Sequence, residues 1–265
     1  MEKINDVIRR YKEKIGNNNF IPPIDLKILK EIISDMEDRE IILEPLRTKN
    51  PGTEAILIPF SKKFTIKTKN DNWEKIKSYR ERMSISHEFA HILYYGTKLY
   101  YDESKCFKVA RELLVPKEML ENDGNLSSFT KRPLQSFKEL CENYKVSPEI
   151  MACRLTTDTS ILKDIIITFW FHKNNFSKRN FSPEDFKFPH SFLSHELTKS
   201  FYQYWRRKLY KKIWEKLEEN YNEKEINGEN TELGTRKKKS CTLYITKWPL
   251  GQKAFNITSI TKVKK

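Results

Sequence analysis

The stretch Arg82-Met83-Ser84-Ile85-Ser86-His87-Glu88-Phe89-Ala90-His91-Ile92-Leu93-Tyr94-Tyr95 decides how the rest of the chain is read. Met83, Ile85, Phe89, Ala90, Ile92 and Leu93 make a helix over residues 79–95 apolar nearly all round, and such a helix is buried. His87 and His91 stand one turn apart on a single face, so both imidazoles reach one point. Two histidines and a glutamate taken out of water together need partners. A zinc ion is such a partner: it accepts neutral imidazole and carboxylate ligands, and in catalytic sites it keeps one position open for water. Glu88 lies about 100° round the helix from His87, placed to touch that water as a general base without being a ligand. Chance produces such a string on the order of once in a hundred sequences. Ordinary surface histidines fit poorly on so apolar a helix.

Two histidines leave zinc one protein ligand short. Downstream, a helix over 103–115 is stopped by Pro116, and the nearby carboxylates are Asp102, Glu103 and Glu112. Counting about 100° per residue from Phe107, Glu103 falls on the apolar side beside Phe107, Ala110 and Leu114. Glu112 falls opposite, with Lys105 and Lys108, and Asp102 falls off the apolar face. The apolar face thus selects Glu103; the competing account is a first-turn carboxylate favoured by the helix dipole. Tyr94, on the His87/His91 face, is a candidate hydrogen-bond donor to a tetrahedral oxyanion, with plain packing as the alternative.

Outward from this core, Ile4, Val7, Ile8, Tyr11 and Ile15 predict an amphipathic first helix, broken by the asparagines at 17–19. A second helix follows over 25–34 with Asp25 as N-cap. Strands are expected at 41–43, 55–58 and 63–69. Residues 134–144 and 147–155 predict a helix-turn-helix-like pair, with Ser147-Pro148 opening the second member. Beyond residue 160 we expect a buried strand over 164–172, a long aromatic-rich helical stretch over 191–220, a polar loop over 227–234 and a strand over 240–247.

The run from Arg82 to His91 resembles the Arg-Phe-Thr-Leu-Ala-His-Glu-Leu-Gly-His segment of the ImmA/IrrE family of zinc metallopeptidases. The run Glu103 to Pro116, closing Val109-Ala-Arg-Glu-Leu-Leu-Val-Pro116, resembles that family's second helix, which closes in Leu-Leu-Met-Pro. The pair ending Tyr144-Lys-Val-Ser-Pro-Glu-Ile-Met-Ala-Cys-Arg-Leu155 is similar to the family's sequel. Met83, Ser86 and Ala90 depart from the family's phenylalanine, alanine and glycine but leave the ligands untouched. The likeness covers about residues 1–155. It implies a zinc-dependent endopeptidase in which Zn2+ is held by His87, His91 and the glutamate that opens the second helix, Glu103, with Glu88 as general base. It also implies a protein substrate, typically a helix-turn-helix repressor cut to switch on a stress response or a mobile element.

The expected architecture is α+β: a mainly helical zincin-like catalytic domain over 1–160 with a small sheet, followed by a mixed α/β C-terminal domain over 161–265. At 265 residues, 38% hydrophobic and with seven glycines, the chain suits helices with solvated faces. The longest near-continuous apolar run, from Ile165 to Phe171, is far short of the ~20 residues a membrane span needs. Met1 to Arg10 holds no signal-peptide stretch, and Cys106, Cys141, Cys153 and Cys241 lack metal or disulfide spacing, so a cytoplasmic protein with reduced thiols is expected.

The formal charge of +14 is uneven: residues 1–160 carry 28 basic and 25 acidic side chains, residues 161–265 carry 22 and 11. The second part suits an anionic partner, an acidic protein surface or nucleic acid, although charge alone supports nucleic acid weakly. The cluster Arg236-Lys-Lys-Lys239 reads most simply as a solvated loop end, and His190 and His195 are too far apart in sequence to share a helical face. In the helix-turn-helix-like pair the second member offers mainly Arg154 to base edges, which favours packing over DNA readout. The competing function is a regulatory or DNA-binding protein whose zinc site is vestigial.

Overall fold

In the computed structural model, which describes residues 2–16, 20–47, 54–170, 190–194, 197, 203–219, 225–233, 239–249 and 255–263, helices lead and strands follow. Ile4, Val7 and Tyr11 form the buried stripe of α1 (Glu2–Ile15). In α2 (Leu26–Glu37) Asp25 is the N-cap, accepting from the Lys27 amide at 2.7 Å, and Leu26, Leu29, Ile32 and Ile33 are buried. Each such aliphatic side chain stabilises the fold by roughly 1.5–3 kcal/mol relative to exposure. The chain then forms β1 (Glu40–Pro45), β2 (Ala55–Pro59) and β3 (Lys63–Thr68). They pair in the order β1-β3-β2, β1 parallel and β2 antiparallel to the central β3, so β2 is an edge strand.

Helix α3 (Tyr79–Leu93) carries the two histidines and packs on α2, β2, β3 and α4 (Glu103–Leu114). Ser78 caps its start by accepting from the Glu81 amide, as an N-cap serine does. Glu81 is buried, and its carboxylate accepts from the Thr68 hydroxyl at 2.8 Å and the Asn70 side-chain amide at 2.8 Å. The start of α3 is thereby tied to the end of β3. Short helices α5 (Lys117–Glu121) and α6 (Gly124–Ser128) lead to α7 (Pro133–Tyr144) and α8 (Pro148–Ala152). The helix expected over 147–155 continues instead as a π-helical turn, Cys153–Asp158.

By packing, the chain divides into two units: Met1–Ser127 with Lys138–Met151, and Ser128–Phe137 with Ala152–Lys265. The second is built on an antiparallel sheet ordered β5-β4-β8-β7-β6, from β4 (Ile165–Trp170), β5 (His190–Leu193), β6 (Glu225–Leu233), β7 (Lys239–Pro249) and β8 (Phe255–Val263). Helix α9 (Gln203–Glu219) packs on β6 and β7, burying Leu209, Ile213, Trp214 and Leu217 against Ile166, Leu243 and Ile245.

Three expectations are corrected by the second unit. The stretch 191–220 is not one long helix, because it opens as strand β5. Residues 227–233 are strand, not loop, with Gly234 outside the described residues: Asn227 and Asn230 are exposed on a sheet-edge strand, and Gly228, at φ +75°, sits where the register shifts. Strand β8 has no counterpart among the expected elements, because its Thr258, Ser259 and Thr261 are polar yet buried. None of the four cysteines is in a disulfide.

Candidate metal centre

The centre is built by two helices and the turn between them. Helix α3 ends at Leu93, Gly96 takes a left-handed φ of +76°, and a 3-10 turn, Lys98–Tyr101, leads back to α4. Asp102 is the N-cap of α4, accepting from the Lys105 amide at 3.0 Å, which leaves Glu103 as its first residue. From there the Glu103 carboxylate meets the histidines: Oε2 lies 2.9 Å from His87 Nε2 and Oε1 lies 3.6 Å from His91 Nε2. The two Nε2 atoms are 3.0 Å apart. One donor atom from each of His87, His91 and Glu103 lies within 4.8 Å of the others, a group able to hold a metal ion.

The protons favour a cation here. His91 Nδ1 donates to the Tyr100 carbonyl at 2.8 Å, so in the neutral ring Nε2 bears the lone pair. His87 Nε2 faces that lone pair and a carboxylate oxygen, and a single N–H satisfies at most one of them. A divalent ion would satisfy all three, and two imidazole nitrogens with one carboxylate oxygen is a donor set that suits zinc. Burial, then the neighbouring His91, pushes the His87 pKa down, which favours the neutral, metal-binding form.

Glu88 stands beside the triad. Burial and, less strongly, the Glu103 charge lift its carboxyl to about 7, against a hydrogen bond from the Leu57 backbone. A cation held between these groups would pull it back down. The cleft, about 370 Å³, is lined by Ala55, Ile56 and Leu57 of the β2 edge, by Tyr100 and Tyr101, and by His87, Glu88, His91 and Glu103. A larger cleft of about 520 Å³ between α1 and α5 holds no such donor set; Arg9 pairs with Glu13 and Lys12 with Glu118 along its walls.

The structure brings His87, Glu88, His91 and Glu103 together, but on different terms for Glu103 than its helical face suggested. The buried stripe of α4 is Cys106, Val109, Ala110, Leu113 and Leu114, whereas the Glu103 side chain is 66% exposed and Phe107 44% exposed. Glu103 sits at the open rim of the cleft. Asp102 is a cap, and Glu112 accepts from the Lys117 amide. Tyr94, for which plain packing is the alternative, is buried at the end of α3 and is not among the residues lining the cleft; the tyrosines that line it are Tyr100 and Tyr101. The signal for these was their position, in a short link that returns the chain to a ligand-bearing helix. Phe107 is a further site residue that sequence reasoning missed; its ring lies against His87, with centroids 4.0 Å apart.

Of the other candidates, Arg154 is fully buried and 3.7 Å from Asp158, so it is not offered to a base edge. Between residues 147 and 155 Glu149 is the exposed side chain, which repels a phosphate backbone. His190 is exposed on β5; His195 and residues 236–238 lie outside the described residues. Among the described residues no helix is long and apolar enough to cross a membrane.

No protein-family model matches this sequence, and no curated protein matches it. The solved structure of a Mycobacterium tuberculosis transcriptional regulator is similar, with a TM-score of 0.52 and 9% identity, over 99% of this chain and 76% of that one. At that identity the likeness extends to the α+β fold.

Proposed function

We propose that this chain is a zinc-dependent endopeptidase with His87, His91 and Glu103 as ligands and Glu88 as general base. The observation that carries the reading is the convergence of the three donor atoms beside a buried carboxyl, in a cleft open to the edge of β2. When bound, zinc supplies Lewis acidity, lowering the pKa of water toward neutrality and polarising a carbonyl oxygen. Glu88 takes the proton of the attacking water and hands it to the leaving amine. An extended substrate segment adds alongside the edge strand β2 through main-chain hydrogen bonds. Tyr100, whose pKa is raised by burial and then by Glu88, keeps its proton and takes over from Tyr94 as the candidate donor to the oxyanion.

The substrate proposed is a regulatory protein such as a helix-turn-helix repressor, following the likeness of residues 82–116 to ImmA/IrrE peptidases. The second reading, a regulator with a vestigial zinc site, draws on the fold shared with the mycobacterial transcriptional regulator. One substitution separates them. Glu88→Gln should retain zinc and lose about 10²–10⁴-fold in cleavage of a peptide library or a trapped protein substrate. A regulator's activity would be indifferent to it. His87→Ala and Glu103→Ala should each lose zinc, and if both bind as much zinc as the parent the site is misassigned.

A further inference from the structure

Resting on the zinc reading of the triad, we infer that Phe107 is a positioning residue that holds the His87 ring for metal binding, a part played at His91 by a backbone carbonyl. A ligating histidine ordinarily donates its second ring nitrogen to a carbonyl or carboxylate, which fixes tautomer and ring angle. His91 follows this pattern through the Tyr100 carbonyl at 2.8 Å. His87 does not: its Nδ1 is buried with no hydrogen-bond partner among the described residues. Such a ring has a broad torsional well about its last bond, since χ2 of histidine is not sharply staggered.

What restrains it is ring contact on two sides. The Phe107 ring lies 4.0 Å from the His87 ring, centroid to centroid, with the planes tilted by 33°. The edge of His91 meets His87 at 4.6 Å and 86°. Phe107 is 44% exposed and stands off the buried stripe of α4, so the core does not account for a phenylalanine there. It lies four residues after Glu103, on the same face of α4. One helical face thus supplies both the ligand oxygen and the ring that steadies the opposing imidazole.

The test uses the full chain with Zn2+ in competition with a chromophoric chelator, and with Co2+ read by its visible absorption. Phe107→Ala should weaken zinc binding about ten- to a hundredfold, the range for removing a group that orients a ligand. Its cobalt band should shift, while its metal-free melting temperature stays near the parent's. Phe107→Tyr, which keeps a flat ring, should bind as the parent does. Phe107→Leu, which keeps apolar cover without the ring plane, decides the matter if alanine disturbs folding, and should lose on the order of tenfold. Parental affinity and an unshifted cobalt band in the alanine or leucine variant would overturn the role of Phe107 and leave the zinc reading standing. A parent chain that takes up neither metal, or keeps both after His87→Ala, would remove the zinc reading and this role with it.

Discussion

Two regions of this protein bury polar side chains, the second more completely than the first, and in different arrangements. On α3, His87, Glu88 and His91 are 8–9% exposed; on β8, Thr258, Ser259 and Thr261 are 0–2% exposed. Strand β8 lies inside its sheet between β4 and β7, and its hydroxyls are spaced along the strand, each a small group that rotates to suit its surroundings. On α3, His87 and His91 converge with Glu103 on one point, where His87 Nε2 faces both the His91 lone pair and a carboxylate oxygen. Burial of polar atoms is therefore no sign of function in itself. What sets α3 apart is convergence on one point, where a single N–H leaves one of two facing acceptors unsatisfied.

The sharpest way to break this contrast is to add zinc, the ion proposed for the triad. Zinc at a thousandfold excess over its dissociation constant should stabilise the chain by about 4 kcal/mol, since it binds the folded triad and not the unfolded chain. Thermal unfolding with ZnCl2, with EDTA and in His91→Ala measures it: melting should rise with zinc in the parent only. A rise of equal size in His91→Ala would place the ion elsewhere.

A smaller effect separates the two tyrosines. Tyr100→Phe should lower kcat about a hundredfold with little change in zinc content, the cost of removing one oxyanion donor. Tyr94→Phe should leave kcat near the parental value. The reverse order would restore Tyr94, and equal, negligible effects would leave oxyanion binding to the metal alone.

The region around α3 and α4 is legible in the sequence because its signals are local. Two histidines four apart on an apolar helix and a proline stop at 116 each fix structure within a few residues. A buried face picks out Glu103, yet the structure puts its carboxylate at the cleft rim, 66% exposed, where it still reaches both histidines. Tyr94 is harder to place, because it falls on the ligand face only if the helical period is carried past Leu93, where α3 ends. The second unit is less legible because its pattern depends on distant pairing. Residues 227–234 read as loop until β7 is laid beside β6, and Phe255–Val263 gives no reading until β4 and β7 flank it. A hydroxyl-rich strand carries no apolar alternation to announce which faces are covered.

That same strand yields the smallest and most discriminating effect. Thr261 Oγ1 is buried with no hydrogen-bond partner among the described residues, although the neighbouring strands leave the backbone well paired. An unsatisfied buried hydroxyl costs roughly 1–3 kcal/mol, and valine has nearly the same shape without it. Thr261→Val should therefore be neutral or stabilise the fold by up to about 1 kcal/mol, read as an unchanged or raised denaturant midpoint at constant slope. It should leave zinc affinity where it was. The same logic applied on α3, His91→Phe, should remove the metal altogether, because there the polar atom has a task that shape cannot replace. Should Thr261→Val destabilise by about 2 kcal/mol or more, the β8 hydroxyl has a partner and the two regions differ in degree, not in kind.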